Sequence, residues 1–364
     1  MTFTLPKFQA PDFSDAVLSQ APDLVLAPAP MDGVPPEGFH LTTSFPEYYK
    51  INGQWKLPDQ SIPYCCVVYK DDAFTFLECA KLQKDDPVVV AETFDGSEGV
   101  YAHRHAFSGT ADDARALPYE ESGSNKYGQL VDLMKYQKEH GGHIVWVMGP
   151  AVVFNYDTRI ALEALAKAGY VNAVLAGNAL ATHDLEGGYL NTALGQNIYT
   201  QEAAPNGHYN HLDTINTCRR YGSIPAFIDS GEVDDGVIKV LVEEGIPFHL
   251  AGSIRDDGPL PPVTGNVSRS IADMTEELQK ATLVINLATL LHGAASAGMV
   301  SGYTKRGDEI WPVYVYTIDI TAYAKDSTAK IRWDFLTRSF ETNVQDFVFT
   351  LKKLLIGSQK EIRR

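Results

Sequence analysis

From residue 127 onward the apolar and polar positions fall into a repeating rhythm. Stretches with apolar residues on a 3.6-residue period alternate with short, mostly β-branched runs, and glycine-rich or polar breaks separate them. The spacing predicts helices over residues 127–140, 158–168, 211–221, 236–244, 273–280 and 344–355. It predicts strands over 143–148, 172–176, 224–228, 246–250, 282–287 and 312–320. Alternating helices and fully apolar strands imply an α/β fold, a doubly wound and mainly parallel sheet. In such sheets ligands bind in the crevice beyond the carboxyl ends of the strands.

The amino-terminal third has a different period. Short β-like runs at 47–51, 61–69, 75–80 and 87–91 are punctuated by Asn52-Gly53, Asp71-Asp72 and Asp85-Asp86 turns, which predicts a small, mostly antiparallel β domain. Residues 1–30 are rich in Pro, Ala and Asp without a sustained period, as expected of an arm. Turn-rich sequence between 103 and 125 marks a boundary, giving an arm (1–30), a β-rich domain (31–115) and a Rossmann-like domain (116–364).

Composition narrows the partners. A chain of 364 residues with 45% hydrophobic content exceeds the usual size of a single core. Its net charge of −16 offers no basic face for phosphate contacts, which argues against nucleic-acid and anionic-membrane partners and leaves a small molecule. Cys65, Cys66, Cys79 and Cys218 show no paired spacing, so buried, reduced thiols in a cytoplasmic protein are expected, with no metal site. The first residues lack the basic and apolar regions of a secretion signal. The longest apolar run, 281–302, carries Asn286, His292, Ser296 and several glycines, which fits a buried helix and a Gly-rich turn better than a membrane span.

Candidate chemistry gathers in the loops after predicted strands. Met148-Gly149-Pro150, Gly177-Asn178-Ala179 and Gly252-Ser253 place glycines where a phosphate or ribose could approach the backbone. None forms the G-x-G-x-x-G dinucleotide fingerprint. The third loop continues into Arg255-Asp256-Asp257, one cation beside two adjacent carboxylates, and an ordinary solvated acidic turn has the same composition. His183-Asp184 follow the Gly177-Asn178 strand end, and the run Gly207-His208-Tyr209-Asn210-His211 opens another helix, with capping by Asn210 as its structural alternative.

Four segments, AGNALATHDLE (176–186), GHYNHLDTIN (207–216), LAGSIRDDGPLP (250–261) and TLLHGAASAG (289–298), together resemble the archaeal-type ornithine cyclodeaminases. That family is also known as the lysine-oxoglutarate reductase/saccharopine dehydrogenase conserved region, and it forms the C-terminal part of cyanobacterial arginine dihydrolase bifunctional proteins. The segment APMDGVPPEGFHLTTSFPEYYKINGQW (29–55) resembles the family's opening β domain. The resemblance implies tightly bound NAD in a cofactor domain distantly similar to deoxyhypusine synthase, a homo-oligomer, and conversion of ornithine to proline with loss of ammonia. Departures lie at 103–128, at Ala297-Gly298 and at Asp319-Ile320-Thr321-Ala322, where the family carries Asp-Ile-Asn-Pro.

Under that reading Asp256 and Asp257 hold the distal amine and move protons, Arg255 clamps the substrate carboxylate, and His183 or His211 assists proton transfer. Gly149, Pro150, Gly177, Asn178, Ala179, Asp184, Gly252, Ser253 and Asp319 are the expected cofactor neighbours, Asp319 through the ribose diol. Two other readings stay open. One is a related NAD-dependent amine or imine reaction, including transfer of an aminoalkyl group through a crevice lysine such as Lys305, Lys325 or Lys330. The other is a non-catalytic NAD-binding subunit.

Overall fold

The computed structural model describes residues 3–107, 127–254, 258–261, 263–332 and 336–357. Two small antiparallel sheets form the amino-terminal part. One contains β1 (Val25–Pro28), β6 (Pro87–Val90), β4 (Cys66–Lys70) and β5 (Ala73–Leu77), and the other contains β3 (Gln54–Lys56), β2 (Glu47–Ile51) and β7 (Val100–Ala102). The positive φ of Asn52, Asp71, Asp72 and Asp85 confirms the expected turns. A helix α1 (Ala16–Gln20) precedes β1, and Phe3, Leu5 and Phe8 pack onto the main core. All four cysteines are free, and Cys79 is half-buried with its Sγ 3.1 Å from that of Cys66.

The larger part is built on six parallel strands: β8 (Ile144–Met148), β9 (Ala173–Gly177), β12 (Phe248–Ala251), β13 (Leu283–Leu287), β16 (Tyr314–Asp319) and β17 (Thr337–Glu341). Their order across the sheet is β12-β9-β8-β13-β16-β17. Counted from β8 this is 3-2-1-4-5-6, the Rossmann order, in which the chain reverses direction between the first and fourth strands. Every residue of β8 and β13 is buried, so these runs read as continuous hydrophobic segments rather than alternating ones.

Eight longer helices cover the sheet: α2 (Gly128–Glu139), α3 (Tyr156–Lys167), α4 (Asn178–Leu190), α5 (Asn210–Tyr221), α8 (Val267–Leu278), α9 (Leu290–Met299), α10 (Ala322–Ile331) and α11 (Val344–Ile356). The shorter α6 (Ile224–Asp229) and α7 (Val237–Glu243) sit between α5 and β12. Hairpins β10 (Thr192–Ala193) with β11 (Gln196–Asn197) and β14 (Tyr303–Arg306) with β15 (Glu309–Pro312) complete the fold.

Some expectations are corrected. The apolar run 224–228 is helix α6, not a strand, because the Ser223 hydroxyl caps it by accepting the Ala226 N–H and Pro225 cannot serve a central strand. Helix α8 begins six residues before its predicted start, where Asn266 accepts the Arg269 N–H. The run 281–302 holds strand β13 as well as helix α9, and the predicted strand 312–320 divides at Val313 between β15 and β16. Among the described residues no helix is long and apolar enough to cross a membrane.

Candidate active site

The reversal between β8 and β13 brings their exits together. The Gly149 N–H donates to the Leu287 carbonyl at 2.8 Å, and a Cβ on Gly149 would lie 2.0 Å from the Ala288 carbonyl oxygen. Gly149 is therefore a glycine because another backbone occupies the space. Ala288 itself is held at φ +46°, a left-handed conformation unusual for alanine, with its N–H donated to the Ile318 carbonyl. Pro150 opens the short 3-10 turn Pro150–Val153, whose Val152 and Val153 anchor in the core.

Gly177 ends β9 and serves as the N-cap of α4. A Cβ there would stand 3.1 Å from Cε1 of His292, the third residue of α9. Asn178 is buried, and its Oδ1 accepts the Leu260 N–H at 2.9 Å; Ala179 beside it is half-buried. Among the described residues no side chain caps α4, and no acidic residue occupies its first turn. A helix start without a cap or an acidic residue of its own is an arrangement that suits an anion.

After β12 the Gly252 N–H donates to the Thr264 carbonyl at 2.8 Å, so the two ends of this loop are stapled at its base, with Ser253 exposed. Arg255, Asp256 and Asp257 lie outside the described residues. The segment that follows them is pinned twice: Asn178 holds Leu260, and Arg219 donates from Nη2 and Nε to the Pro259 carbonyl at 2.9 and 3.2 Å. Asp319 ends β16, and its Oδ1 accepts both the N–H and the hydroxyl of Thr321 at 2.8 Å.

A second cluster adjoins the loop leaving β8. His183 Nδ1 lies 2.8 Å from Glu186 Oε2, and its ring sits against Phe154 and His211, with centroids 5.8 and 6.2 Å away. Glu186 is fully buried; its Oε1 accepts the Thr192 hydroxyl at 2.7 Å and the Gly195 N–H at 3.2 Å. Asn210 Nδ2 donates to the same Thr192 hydroxyl at 2.8 Å, so its side chain braces this network instead of capping α5. The Leu194 N–H also points at Nδ1, at 3.4 Å; with hydrogen on Nδ1 directed at the closer carboxylate, Nε2 is left as the proton acceptor.

Asp184 does not join the crevice, which corrects its expected place beside the cofactor. One residue past His183, it points from α4 toward α3 and α7, where Oδ1 takes the Arg159 Nε–H at 2.9 Å and Oδ2 takes the Ile238 N–H at 2.7 Å. Arg159 is wholly buried and also pairs with Asp235 at 2.6 Å. This is a packed ion pair between helices.

Two residues escaped the sequence reading although both lie inside the quoted motifs. Glu186 is signalled by its i, i+3 spacing from His183. His292 is signalled by its place three residues into a helix that follows a strand end. Burial holds the His292 imidazole below its usual proton affinity, so it is neutral near pH 7. No group of three or more His, Cys, Asp or Glu side chains among the described residues is disposed to hold a metal ion.

A Rossmann sheet with its switch-point loops and an uncapped helix start define a dinucleotide-fold protein, with the His183–Glu186 pair as its candidate acid–base group. The family of ArgZ-like arginine dihydrolase C-terminal Rossmann domains matches residues 128–310. An ornithine cyclodeaminase of Methanocaldococcus jannaschii is 34% identical over 299 residues, 80% of this chain and 70% of that protein. The chain belongs to the archaeal-type ornithine cyclodeaminase family.

Among solved structures, a conserved LOR/SDH protein from Methanococcus maripaludis superposes with a TM-score of 0.81 at 27% identity, covering 93% of this chain and 98% of that one. A ternary complex of AgrE with ornithine and NAD+ is similar at TM-score 0.58 and 27% identity, over 93% of this chain and 46% of that one.

Proposed function

We propose that the protein is an NAD-dependent cyclodeaminase that converts ornithine, or a similar basic amino acid, to proline or a cyclic imino acid with release of ammonia. The observation that carries this reading is the oriented His183–Glu186 pair beside the loop leaving β8, next to the sheet reversal where dinucleotides bind. The family's complex with ornithine and NAD+ supports it.

The residues fit the cofactor. Gly177 and the helix-start amides of Asn178 and Ala179 suit a pyrophosphate, and the Asp319 carboxylate suits a ribose diol. Gly252 and Ser253 close the same edge from β12, and Gly149 with Pro150 closes it from β8. When bound, NAD accepts hydride from the substrate α-carbon and returns it within the turnover, so no external reductant is consumed.

The chain's own groups supply the rest. Arg255 clamps the substrate carboxylate, and Asp256 or Asp257 holds the distal ammonium while sharing its proton. His183 accepts a proton from the α-ammonium through Nε2 and returns it to the departing ammonia, with His211 packed beside it as a second carrier.

Transfer of an aminoalkyl group is the less favoured reading, since it needs a lysine nucleophile in the crevice. Lys305, on the β14–β15 hairpin, instead donates to the Leu57 carbonyl and pairs with Asp59 of the amino-terminal part. We further infer a cytoplasmic homo-oligomer serving amino-acid metabolism, which light scattering on the purified chain tests for assembly.

Incubating the purified protein, without added cofactor, with a panel of basic amino acids tests the function. Ammonia and proline from ornithine are expected; a preparation that binds no nicotinamide dinucleotide and releases no ammonia contradicts it.

A further inference from the structure

We propose that Cys66 and Cys79 are a thiol-modification site that closes to a reversible disulfide when the protein meets a low-molecular-weight disulfide. The site lies in the amino-terminal β part and is independent of the crevice and of its cofactor.

The hairpin geometry carries it. Cys66 opens β4 and pairs in register with Leu77, the last residue of β5. Two residues on, the chain turns back in the 3-10 turn Cys79–Lys81, fixed by the Lys81 N–H donating to the Glu78 carbonyl at 2.8 Å. That turn brings the Cys79 Sγ to 3.1 Å from the Cys66 Sγ. A disulfide holds its sulfurs about 2.05 Å apart, so closure asks for a small side-chain adjustment and no change of strand register. The pairing is also selective. Successive strand residues face opposite sides, so Cys66 packs with Ala29, Val68, Leu82 and Val88 while Cys65 turns to the cavity that Phe76 shares with Ile271 and Ala295. Cys218 sits on α5, in the other part of the molecule.

The two thiols are unequal, which sets the order of attack. Cys66 is wholly buried, and burial together with the contact to Cys79 pushes its thiol up to about 12, so it keeps its proton. Cys79 is half-buried at the edge of the cluster, with Ala80 exposed beside it, and so meets an outside disulfide RSSR first. Its sulfur gives up a proton, attacks one sulfur of RSSR and expels RS−, leaving a mixed disulfide on Cys79. The Cys66 sulfur then displaces the remaining RS group from Cys79, and its own proton passes to the departing thiolate. Two protein thiols become one disulfide, and their two electrons reduce RSSR to two RSH. The bond joins positions 13 residues apart and ties the turn to β4, which restricts the unfolded chain.

The test incubates the full folded chain with oxidised glutathione, then denatures it, alkylates the remaining thiols with N-ethylmaleimide and maps the peptides by mass spectrometry. Wild type should lose two of its four alkylatable thiols, with Cys66 and Cys79 in one linked peptide pair that dithiothreitol separates. The oxidised protein should also melt at a higher temperature than the reduced one. In Cys66→Ser the second step is blocked, so glutathione should stay on Cys79 as a mixed disulfide. In Cys79→Ser neither the bond nor an adduct should form, because the buried Cys66 cannot start the exchange. The wild-type map needs no variant and decides the matter should either serine variant fail to fold. Four alkylatable thiols after oxidation, a bond that engages Cys65 or Cys218, or glutathione on Cys66 in Cys79→Ser would each overturn the proposal.

Discussion

His183 and Glu186 face one another one turn apart on α4, with Nδ1 2.8 Å from Oε2, and the fully buried carboxylate anchors the imidazole through that nitrogen. If that base moves the substrate's protons, His183→Asn lowers kcat by ~100- to 10,000-fold while NAD stays bound. Glu186→Gln shifts kcat in the same direction by a smaller factor. Turnover and retained nicotinamide dinucleotide, measured on the same preparations, check this; wild-type turnover in His183→Asn would exclude the histidine.

Asp184, next in sequence, should behave in the opposite way. Replacing it by Asn leaves the buried Arg159 short of a counter-charge, and breaking one partner of a buried pair costs about 3–5 kcal/mol. Denaturant unfolding should show that loss, with the cofactor content of folded molecules unchanged. Cofactor loss without destabilisation would return Asp184 to the binding site.

The contrast between these neighbours explains what the sequence made legible. The apolar runs of β8, β9 and β13 are long enough to identify a parallel sheet, and glycines at strand ends mark the loops. A helix turns ~100° per residue, so His183 and Asp184 look equally suited to a crevice in one dimension yet face different partners in three. Arg159, 25 positions earlier, gives no local sign that it will claim the aspartate. Residues 224–228 were ambiguous for a different reason: a five-residue apolar run fits strand or helix, and only Ser223 and Pro225 decide it. The crossing of His292 to Gly177 depends on strand order, which no local pattern reveals.

Two glycines separate packing from binding. At Gly149 an added methyl meets the Ala288 carbonyl, so Gly149→Ala should lower thermal stability. At Gly177 the neighbour is the His292 ring edge at 3.1 Å, which can yield, so Gly177→Ala should fold normally and retain less NAD. Equal loss of stability in both variants would assign both to packing.

Glu163 gives a pH signature. Burial pushes its carboxyl up to about 7 from 4.5, against the Gly236 N–H that it accepts. The native state then holds a proton that the unfolded chain has released between these values, so this residue's contribution falls as pH rises from about 4.5 to about 7. At 1.36 kcal/mol per unit the full effect is about 3 kcal/mol. Glu163→Gln should flatten the stability profile across that window; a profile identical to wild type would contradict the raised value.

The central claim is that hydride leaves and returns to the same carbon without an outside reductant. Ornithine deuterated at the α-carbon, incubated in ordinary water with the protein as purified, tests it through the mass of the product. The account predicts ammonia and proline that keeps deuterium on its α-carbon. Proline that has exchanged the label with water, or no proline and no ammonia, would contradict it.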